Sequence, residues 1–182
     1  MTSITCSDPI LDEDGQSYAI QEILPASWTL LVLLRHAECI ECNLVFHELN
    51  QLASHLRQWN IAMLPIGNGQ PKSLRRVRER LNIDSRIPLY CHPSLQLHRS
   101  LDLHHGFFRS WGFKALRSTF KAFGQGHLQS GLAFPMNPQS GIVLLDEQHS
   151  VRWIHRSQFL GDIPPFGVML EQILIHKNTP AP

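Results

Sequence analysis

Cys39-Ile40-Glu41-Cys42 lies between two stretches of opposite character. An apolar run, residues 28–34, precedes it, and an amphipathic run, residues 43–59, follows it. The first pattern predicts a strand covered on both faces and the second predicts a helix, so the cysteine pair occupies a strand–helix junction. Because the free N–H groups and the dipole at a helix N-terminus favour an anion, this position stabilises a Cys39 thiolate. Cys42 lies within one helical turn, close enough to form a disulfide with Cys39.

Strand and helix patterns alternate on both sides of this junction. Buried strands are predicted at residues 29–35, 61–67 and 87–91. Helices are predicted at residues 43–59, from Pro71 onward, at residues 94–101 with Ser94 as the N-cap, and at residues 165–176. Hairpins are predicted at residues 9–18, with an Asp-Gly turn, and at residues 141–154. This order predicts an α/β fold with a parallel core and an antiparallel edge.

Composition predicts one folded domain over residues 1–182. A hydrophobic content of 43% and a charged content of 17% are typical of an ordered globular chain. A chain of 182 residues is long enough to bury a well-filled core. The formal net charge is only +1, so charge gives no support to a nucleic-acid partner, and none is expected.

The first part of the chain indicates a cytoplasmic protein. No Lys or Arg precedes Arg35, whereas several acidic residues do, and this pattern matches neither a secretory signal nor a transit peptide. The longest apolar run has seven residues, well below the roughly 20 that span a bilayer. We therefore expect no membrane partner.

The four cysteines favour redox chemistry over a secreted disulfide framework. Cys6, Cys39, Cys42 and Cys91 are too few and too unevenly spaced for such a framework. In a reducing compartment, a lone C-x-x-C is more often redox-active or metal-binding than structural. Cys91 ends a predicted strand, so we expect a buried small hydrophobic residue there. Cys6 is expected in a mobile terminus.

A metal site is a weaker interpretation of the same region. His36, Cys39, Cys42 and His47 are the residues that would supply it. The spacing from Cys42 to His47 is too short for the usual zinc finger, and on a helix the two side chains point about 140° apart. We therefore predict no metal and no cofactor. The other histidines are expected at the surface.

The chain resembles the peroxiredoxin-like proteins of the AhpC/TSA group, within the thioredoxin superfamily. The likeness covers about residues 9–175 and has its most specific part in the C-x-x-C after a strand, combined with a late Gly-hydrophobic-Asp hairpin. The matching segments are residues 31–36 and 39–42, Glu48-Leu49, Ile66-Gly67, residues 101–103 and 139–146, His155-Arg156-Ser157 and Gly161-Asp162. The resemblance implies a thioredoxin-like fold with a central mixed sheet, flanking helices, an N-terminal hairpin and a helical insertion at about 104–140.

The resemblance also implies a mechanism. Cys39 is the expected nucleophile, and Cys42 is the thiol that closes the redox-active disulfide. Positive charge on the residues before the pair, Arg35 and His36, favours the thiolate, whereas negative charge beside it, on Glu38 and Glu41, opposes it. Ser140 stands before Gly141, where thioredoxins carry a cis-proline that faces the cysteines.

The substrate is open between a small peroxide and a disulfide. Typical peroxiredoxins have Pro and Thr or Ser ahead of the peroxide-reacting cysteine, but this chain has Val32 and His36 there. The expected activity is that of an antioxidant, thiol-dependent oxidoreductase, with a thioredoxin or glutathione system as reductant. The alternative is a non-catalytic binding module on a thioredoxin fold.

Two basic segments suggest interaction surfaces. Aromatic and basic residues interleave over residues 107–123, and we expect them to cover the core or to form a homodimer contact. The alternatives are contact with a membrane or a nucleic acid, or a wall of the substrate pocket. The predicted helix that starts at Pro71 carries Lys72, Arg75, Arg76, Arg78 and Arg80. The expectation is a solvated face, and the alternative is a dock for an acidic partner or glutathione.

Overall fold

The computed structural model describes residue 4 and residues 6–35, 40–103, 140–158 and 162–178, except for the side chains of residues 40–42. His36, Glu38 and Cys39 lie outside the described residues. So do residues 104–139, which contain most of the expected insertion and its aromatic and basic segment.

Seven strands of the described chain form one sheet. They are β1 (Ile10–Asp12), β2 (Ser17–Tyr18), β3 (Thr29–Leu34), β4 (Ala62–Gly67), β5 (Tyr90–Cys91), β6 (Gly141–Leu145) and β7 (Val151–Arg156). Their spatial order is β2-β1-β5-β4-β3-β6-β7. The β3–β4 and β4–β5 pairs are parallel, and the other pairs are antiparallel. The predicted mixed sheet and both predicted hairpins are confirmed.

Helices cover both faces of this sheet. They are α1 (Ile20–Ile23), α2 (Ile40–Gln58), α3 (Pro71–Leu81), α4 (Gln96–Ser100) and α5 (Phe166–Asn178). Alternate residues of β3 point to opposite faces, so Leu30, Val32 and Leu34 contact α2, α3 and α5 through one core cluster. Leu31 and Leu33 join a second cluster with α1 and α4. Burial on both faces explains why β3 is continuously apolar.

Two prolines make the third parallel strand shorter than predicted. His92 N–H donates to the Gly67 carbonyl, which fixes the hydrogen-bond pattern of the β4–β5 ladder. Continued backwards, this pattern requires N–H donors from Pro88 and Pro65, and proline has none. The ladder therefore stops at Tyr90, and the strand predicted over 87–91 is reduced to two residues.

The cap predicted for α4 is wrong. Leu95 is the N-cap, with a left-handed φ of 60°, and its side chain cannot cap a helix. The Ser94 hydroxyl instead accepts from the Gln96 N–H at 3.3 Å and contacts His92 Nε2 at 2.9 Å. Ser94 is therefore not the N-cap residue, and its hydroxyl links the first N–H of α4 to the buried His92.

The basic face of α3 is only partly solvated, which corrects the sequence expectation for Arg78. This side chain is mostly buried and binds both carboxylate oxygens of Glu13, the nearer at 2.5 Å. It also donates to the carbonyls of Asp84 and Ile87. Arg78 thus joins the first hairpin to α3 and to the chain that leads into β5.

No helix in the described ranges is long and apolar enough to cross a membrane.

Candidate functional site

The predicted cysteine pair follows β3 at the carboxyl edge of the parallel strands. β3 ends at Leu34 and α2 begins at Ile40, so Cys39 immediately precedes the helix and Cys42 belongs to its first turn. Glu41 is also in that turn. The side chains of Glu41 and Cys42 lie outside the described part, as do Cys39, His36 and Glu38, so their contacts stay predictions.

Arg35 places a buried positive charge at this junction. It directly follows β3, and only 5% of its surface is exposed. Its Nε has no hydrogen-bond partner among the described residues. A buried guanidinium is costly unless an anion or an acceptor compensates it. Arg35 is therefore suited to hold a negative charge on the segment that follows it.

The end of β3 is held in place by two hydrogen bonds to the Leu34 carbonyl. His98 Nε2 of α4 donates at 3.2 Å, and the Asn68 N–H donates at 3.4 Å. His98 and His92 are both completely buried, so the expectation that the remaining histidines lie at the surface is wrong for these two. The sequence gives no local signal for the burial of His98, because its partner, Leu34, is 64 positions away.

Ser140 lies at the same edge of the sheet. β6 is antiparallel to β3 with Gly141 opposite Leu33, so the preceding Ser140 comes next to the end of β3. Its carbonyl accepts from the Ser157 N–H at 3.1 Å. The Ser157 hydroxyl donates to the Asp162 carbonyl at 2.8 Å, which ties the loop after β7 to this position. No cis peptide bond occurs within the described ranges.

Leu103 and Gly141 bring the two ends of the 104–139 segment together. A Cβ on Gly141 would lie only 2.6 Å from Leu103 Cδ2 and 3.3 Å from the His155 carbonyl. A side chain at position 141 would therefore force Leu103 to shift. Because Gly141 begins β6 opposite the end of β3, the segment leaves and re-enters the fold at the edge that carries the cysteine pair.

Cys6 is buried and not in a mobile terminus, which corrects another expectation. Its Sγ lies 3.2 Å from Gln96 Oε1 and 3.4 Å from His92 Nε2. Gln96 Oε1 also accepts from the N–H groups of Ser7 and Asp8. The N-terminal segment is therefore fastened to α4 and β5. The sequence gives no local signal for this, because the contacts join residues nearly 90 positions apart.

The environment of this cluster keeps it uncharged. Burial raises the pKa of the Cys6 thiol and lowers the pKa of His92, whose side chain is completely buried. A neutral thiol beside a neutral imidazole is a structural contact, since a thiolate–imidazolium pair requires the opposite shifts. Cys6 and His92 therefore do not form a second nucleophilic pair.

Cys91 is a buried free thiol, as predicted. Burial raises its pKa to about 11, with the Asp12 carboxylate adding to the effect. At neutral pH this thiol is protonated and poorly nucleophilic.

Comparison with known proteins identifies the class of fold through solved structures. No protein-family model matches the chain. No curated protein matches it either. Solved structures do match, and those described below belong to the peroxiredoxin class.

Three of these structures illustrate the likeness. Peroxidoxin BcpB from Mycobacterium tuberculosis has a TM-score of 0.64 at 11% identity, and the match covers all of both chains. The bacterioferritin comigratory protein from Xanthomonas campestris has a TM-score of 0.64 at 11% identity, over 97% of this chain and 98% of that one. The thiol peroxidase from Chromobacterium violaceum has a TM-score of 0.59 at 17% identity, over 98% and 89%. The fold is thus the thioredoxin-like fold of the peroxiredoxins, as the resemblance implied.

Proposed function

We propose that this protein is a thiol-dependent oxidoreductase of the peroxiredoxin-like AhpC/TSA type, in which Cys39 and Cys42 alternate between a dithiol and a disulfide. The observation that carries the proposal is the combination of the C-x-x-C pair with the buried Arg35 at the β3–α2 junction. A positive charge and a helix N-terminus both favour a thiolate. The fold shared with thiol peroxidase structures supports the same chemistry.

A small hydroperoxide is the substrate that we favour. The Cys39 thiolate attacks one peroxide oxygen and the O–O bond breaks. The leaving oxygen takes a proton from water, and the products are a Cys39 sulfenic acid and an alcohol or water. The Cys42 thiol then attacks the sulfenic sulfur, which releases water and forms the Cys39–Cys42 disulfide. A thioredoxin or glutathione system supplies the two electrons and two protons that restore the dithiol. We place this cycle in the cytoplasm.

A disulfide is the second substrate class that the same residues serve. The Cys39 thiolate attacks one sulfur of the substrate and releases the other as a thiolate, which gives a mixed disulfide. Cys42 then displaces the second substrate thiol. Val32 lies on β3 opposite Pro65 and is fully buried, so it offers no polar group to a peroxide. Val32 therefore does not favour either substrate class. The rates at which Cys39 reacts with a peroxide and with a disulfide distinguish the two.

Mass spectrometry after stoichiometric oxidation tests the proposal. The reduced protein is treated with hydrogen peroxide, an organic hydroperoxide or an oxidised disulfide, and its cysteine linkages are mapped. We expect a Cys39–Cys42 disulfide that thioredoxin or glutathione reduces, with the peroxides reacting faster. The Cys91→Ser variant is the matched control because Cys91 is buried and unreactive, and it should behave as wild type.

The cysteine variants give the contrary outcomes. Cys42→Ser should accumulate a Cys39 sulfenic acid, whereas Cys39→Ser should form no intramolecular disulfide. If the wild-type protein forms no Cys39–Cys42 disulfide with any of the three oxidants, the catalytic proposal is wrong. A non-catalytic binding module on this fold is then the better interpretation.

A further inference from the structure

A cavity opens at the end of the sheet opposite the cysteine junction. Its volume is about 250 Å³. The apolar part of its wall comes from the loop after α1, the C-terminal half of α2, the first residues of β4 and the chain before β5, namely Ile23, Pro25, Ala53, Leu56, Ile61 and Pro88 among others. β4 runs from the cavity toward the cysteine edge, and on β4 the lining extends from Ala62 to Leu64.

The cavity lies where the β4–β5 ladder is interrupted. Pro88 cannot donate to the Met63 carbonyl, and Pro65 cannot donate to the Pro88 carbonyl. The two strands therefore separate where the cavity begins, and Met63 and Pro88 both line it. The Met63 and Pro88 carbonyls therefore have no ladder donor at this wall, which is mainly apolar.

Two arginines that share one carboxylate stand at the cavity. Arg57 and Arg86 line it, and their side chains are 44% and 68% exposed. Both pair with Asp84, at 3.5 Å and 2.6 Å respectively. Hydrogen bonds from Arg86 hold the pKa of Asp84 below its usual range, so this carboxyl stays ionised. Two positive charges and one negative charge leave an excess of one positive charge beside an apolar cavity.

We propose that this cavity binds a small amphipathic carboxylate, with its apolar body against the wall formed by α2 and β4 and its carboxylate on Arg57 and Arg86. Guanidinium groups bind carboxylates through charge-assisted hydrogen bonds, and one carboxylate balances the excess positive charge. The volume lies just below the usual range of roughly 300–1,000 Å³ for ligand pockets, so it suits a single short chain or one ring. The site is independent of the thiol chemistry.

Binding of octanoate to the full-length protein tests this proposal. Titration calorimetry and chemical-shift mapping should show saturable binding with shifts at Ala53, Ala62 and Met63. Octanol and octylammonium have the same apolar body without the negative charge. They should bind at least roughly tenfold more weakly, because they lack the charge-assisted contacts.

Charge variants give effects of opposite sign. Arg86→Gln and Arg57→Gln should each weaken octanoate binding roughly three- to tenfold, since partly exposed ion pairs are modest. Asp84→Asn removes the competing carboxylate and keeps an acceptor for the Arg86 N–H, so it should strengthen binding roughly two- to fivefold. Arg75→Gln is the matched control, because Arg75 pairs with Asp14 outside the cavity.

A variant that fills the cavity shows whether octanoate binds there or elsewhere on the protein. Ala62→Val adds two methyl groups at a half-buried cavity position on β4, where β-branched residues are well tolerated, and it should abolish octanoate binding without unfolding the protein. Circular dichroism checks the fold of each variant. The proposal is overturned if octanoate does not bind, if octanol binds equally well, or if folded Ala62→Val binds as wild type. None of these outcomes affects the Cys39–Cys42 experiment.

Discussion

At the scale of single residues, Arg35 and Cys91 show that burial has different consequences for a guanidinium and for a thiol. Arg35 is buried and must carry its charge beside the junction, whereas Cys91 is buried and loses its ability to ionise at neutral pH. A guanidinium cannot deprotonate in a protein, but a thiol simply keeps its proton. The protein therefore holds one permanent charge at the end of β3, four residues before Cys39 in the sequence, and keeps its buried thiols neutral.

Replacing Arg35 should slow the alkylation of the Cys39 thiol. In Arg35→Gln the thiolate loses a neighbouring cation, so we expect alkylation of Cys39 at neutral pH to be roughly tenfold slower. Arg35→Lys keeps the charge and should retain most of the rate. The measurement is the pH dependence of the iodoacetamide rate with peptide mapping. Equal rates for the glutamine variant and wild type would show that Arg35 does not act on the thiolate.

Cys91 should resist alkylation until the solution is strongly alkaline. With a pKa of about 11, only roughly a thousandth of this thiol is ionised at pH 8. The raised pKa also affects stability: between the ordinary value of 9.0 and about 11, the unfolded chain releases this proton and the folded chain keeps it. Stability should therefore fall as pH rises through that range, and less so in Cys91→Ala. Urea unfolding at pH 8, 9 and 10 gives the free energy of unfolding of both proteins. The same decrease with pH in wild type and in Cys91→Ala would contradict the prediction.

At the scale of secondary-structure elements, Gln96 of α4 determines where the N-terminal segment lies. One amide oxygen accepts from the N–H groups of Ser7 and Asp8, from the Ser7 hydroxyl and from the Cys6 thiol. Short elements such as α4 have little stability of their own. Here the helix is the anchor for a segment that adds Ile4 and Cys6 to the second core cluster.

Removing the Gln96 amide should release this segment. We expect Gln96→Ala to reduce the free energy of unfolding by about 1–3 kcal/mol, because several donors lose their acceptor. Amide exchange at Ser7 and Asp8 should accelerate, and Cys6 should become accessible to thiol reagents. Gln51→Ala is the control, since Gln51 is exposed on α2 and its side chain hydrogen-bonds to His47 of the same helix. Unchanged protection of Ser7 and Asp8 would rule out this role.

A methyl group at Gly141 should disturb the start of β6. The added Cβ would overlap Leu103, so we expect Gly141→Ala to cost about 1–3 kcal/mol. The double variant Gly141→Ala, Leu103→Ala removes the overlap, and it should be less destabilised than the sum of the two single variants. Denaturant titration of all four proteins gives the coupling. Additive effects would mean that the two residues do not interact.

At the scale of the whole molecule, the sequence predicted the parallel core and both hairpins because their signals are local. The apolar run of β3 and the helical spacing in α2 are each contained in one segment. The short β5 was not predicted, because Pro65 and Pro88 affect each other only when the strand register is known. The burial of Cys6, His92 and His98 also depends on partners distant in the chain. At the thiol junction, the sequence supplied Arg35 and Ser140 but not the bonds that His98 and Ser157 make around them.

The contact between Leu103 and Gly141 makes the intervening segment separable from the sheet. Because its two ends meet, a linker of a few residues reaches from one to the other, and the order of strands stays the same. Replacing 36 residues by about four also lowers the entropic free-energy cost of closing the loop by roughly 2 kcal/mol. Residues 104–139 can therefore be shortened or exchanged while the strand order of the sheet is kept.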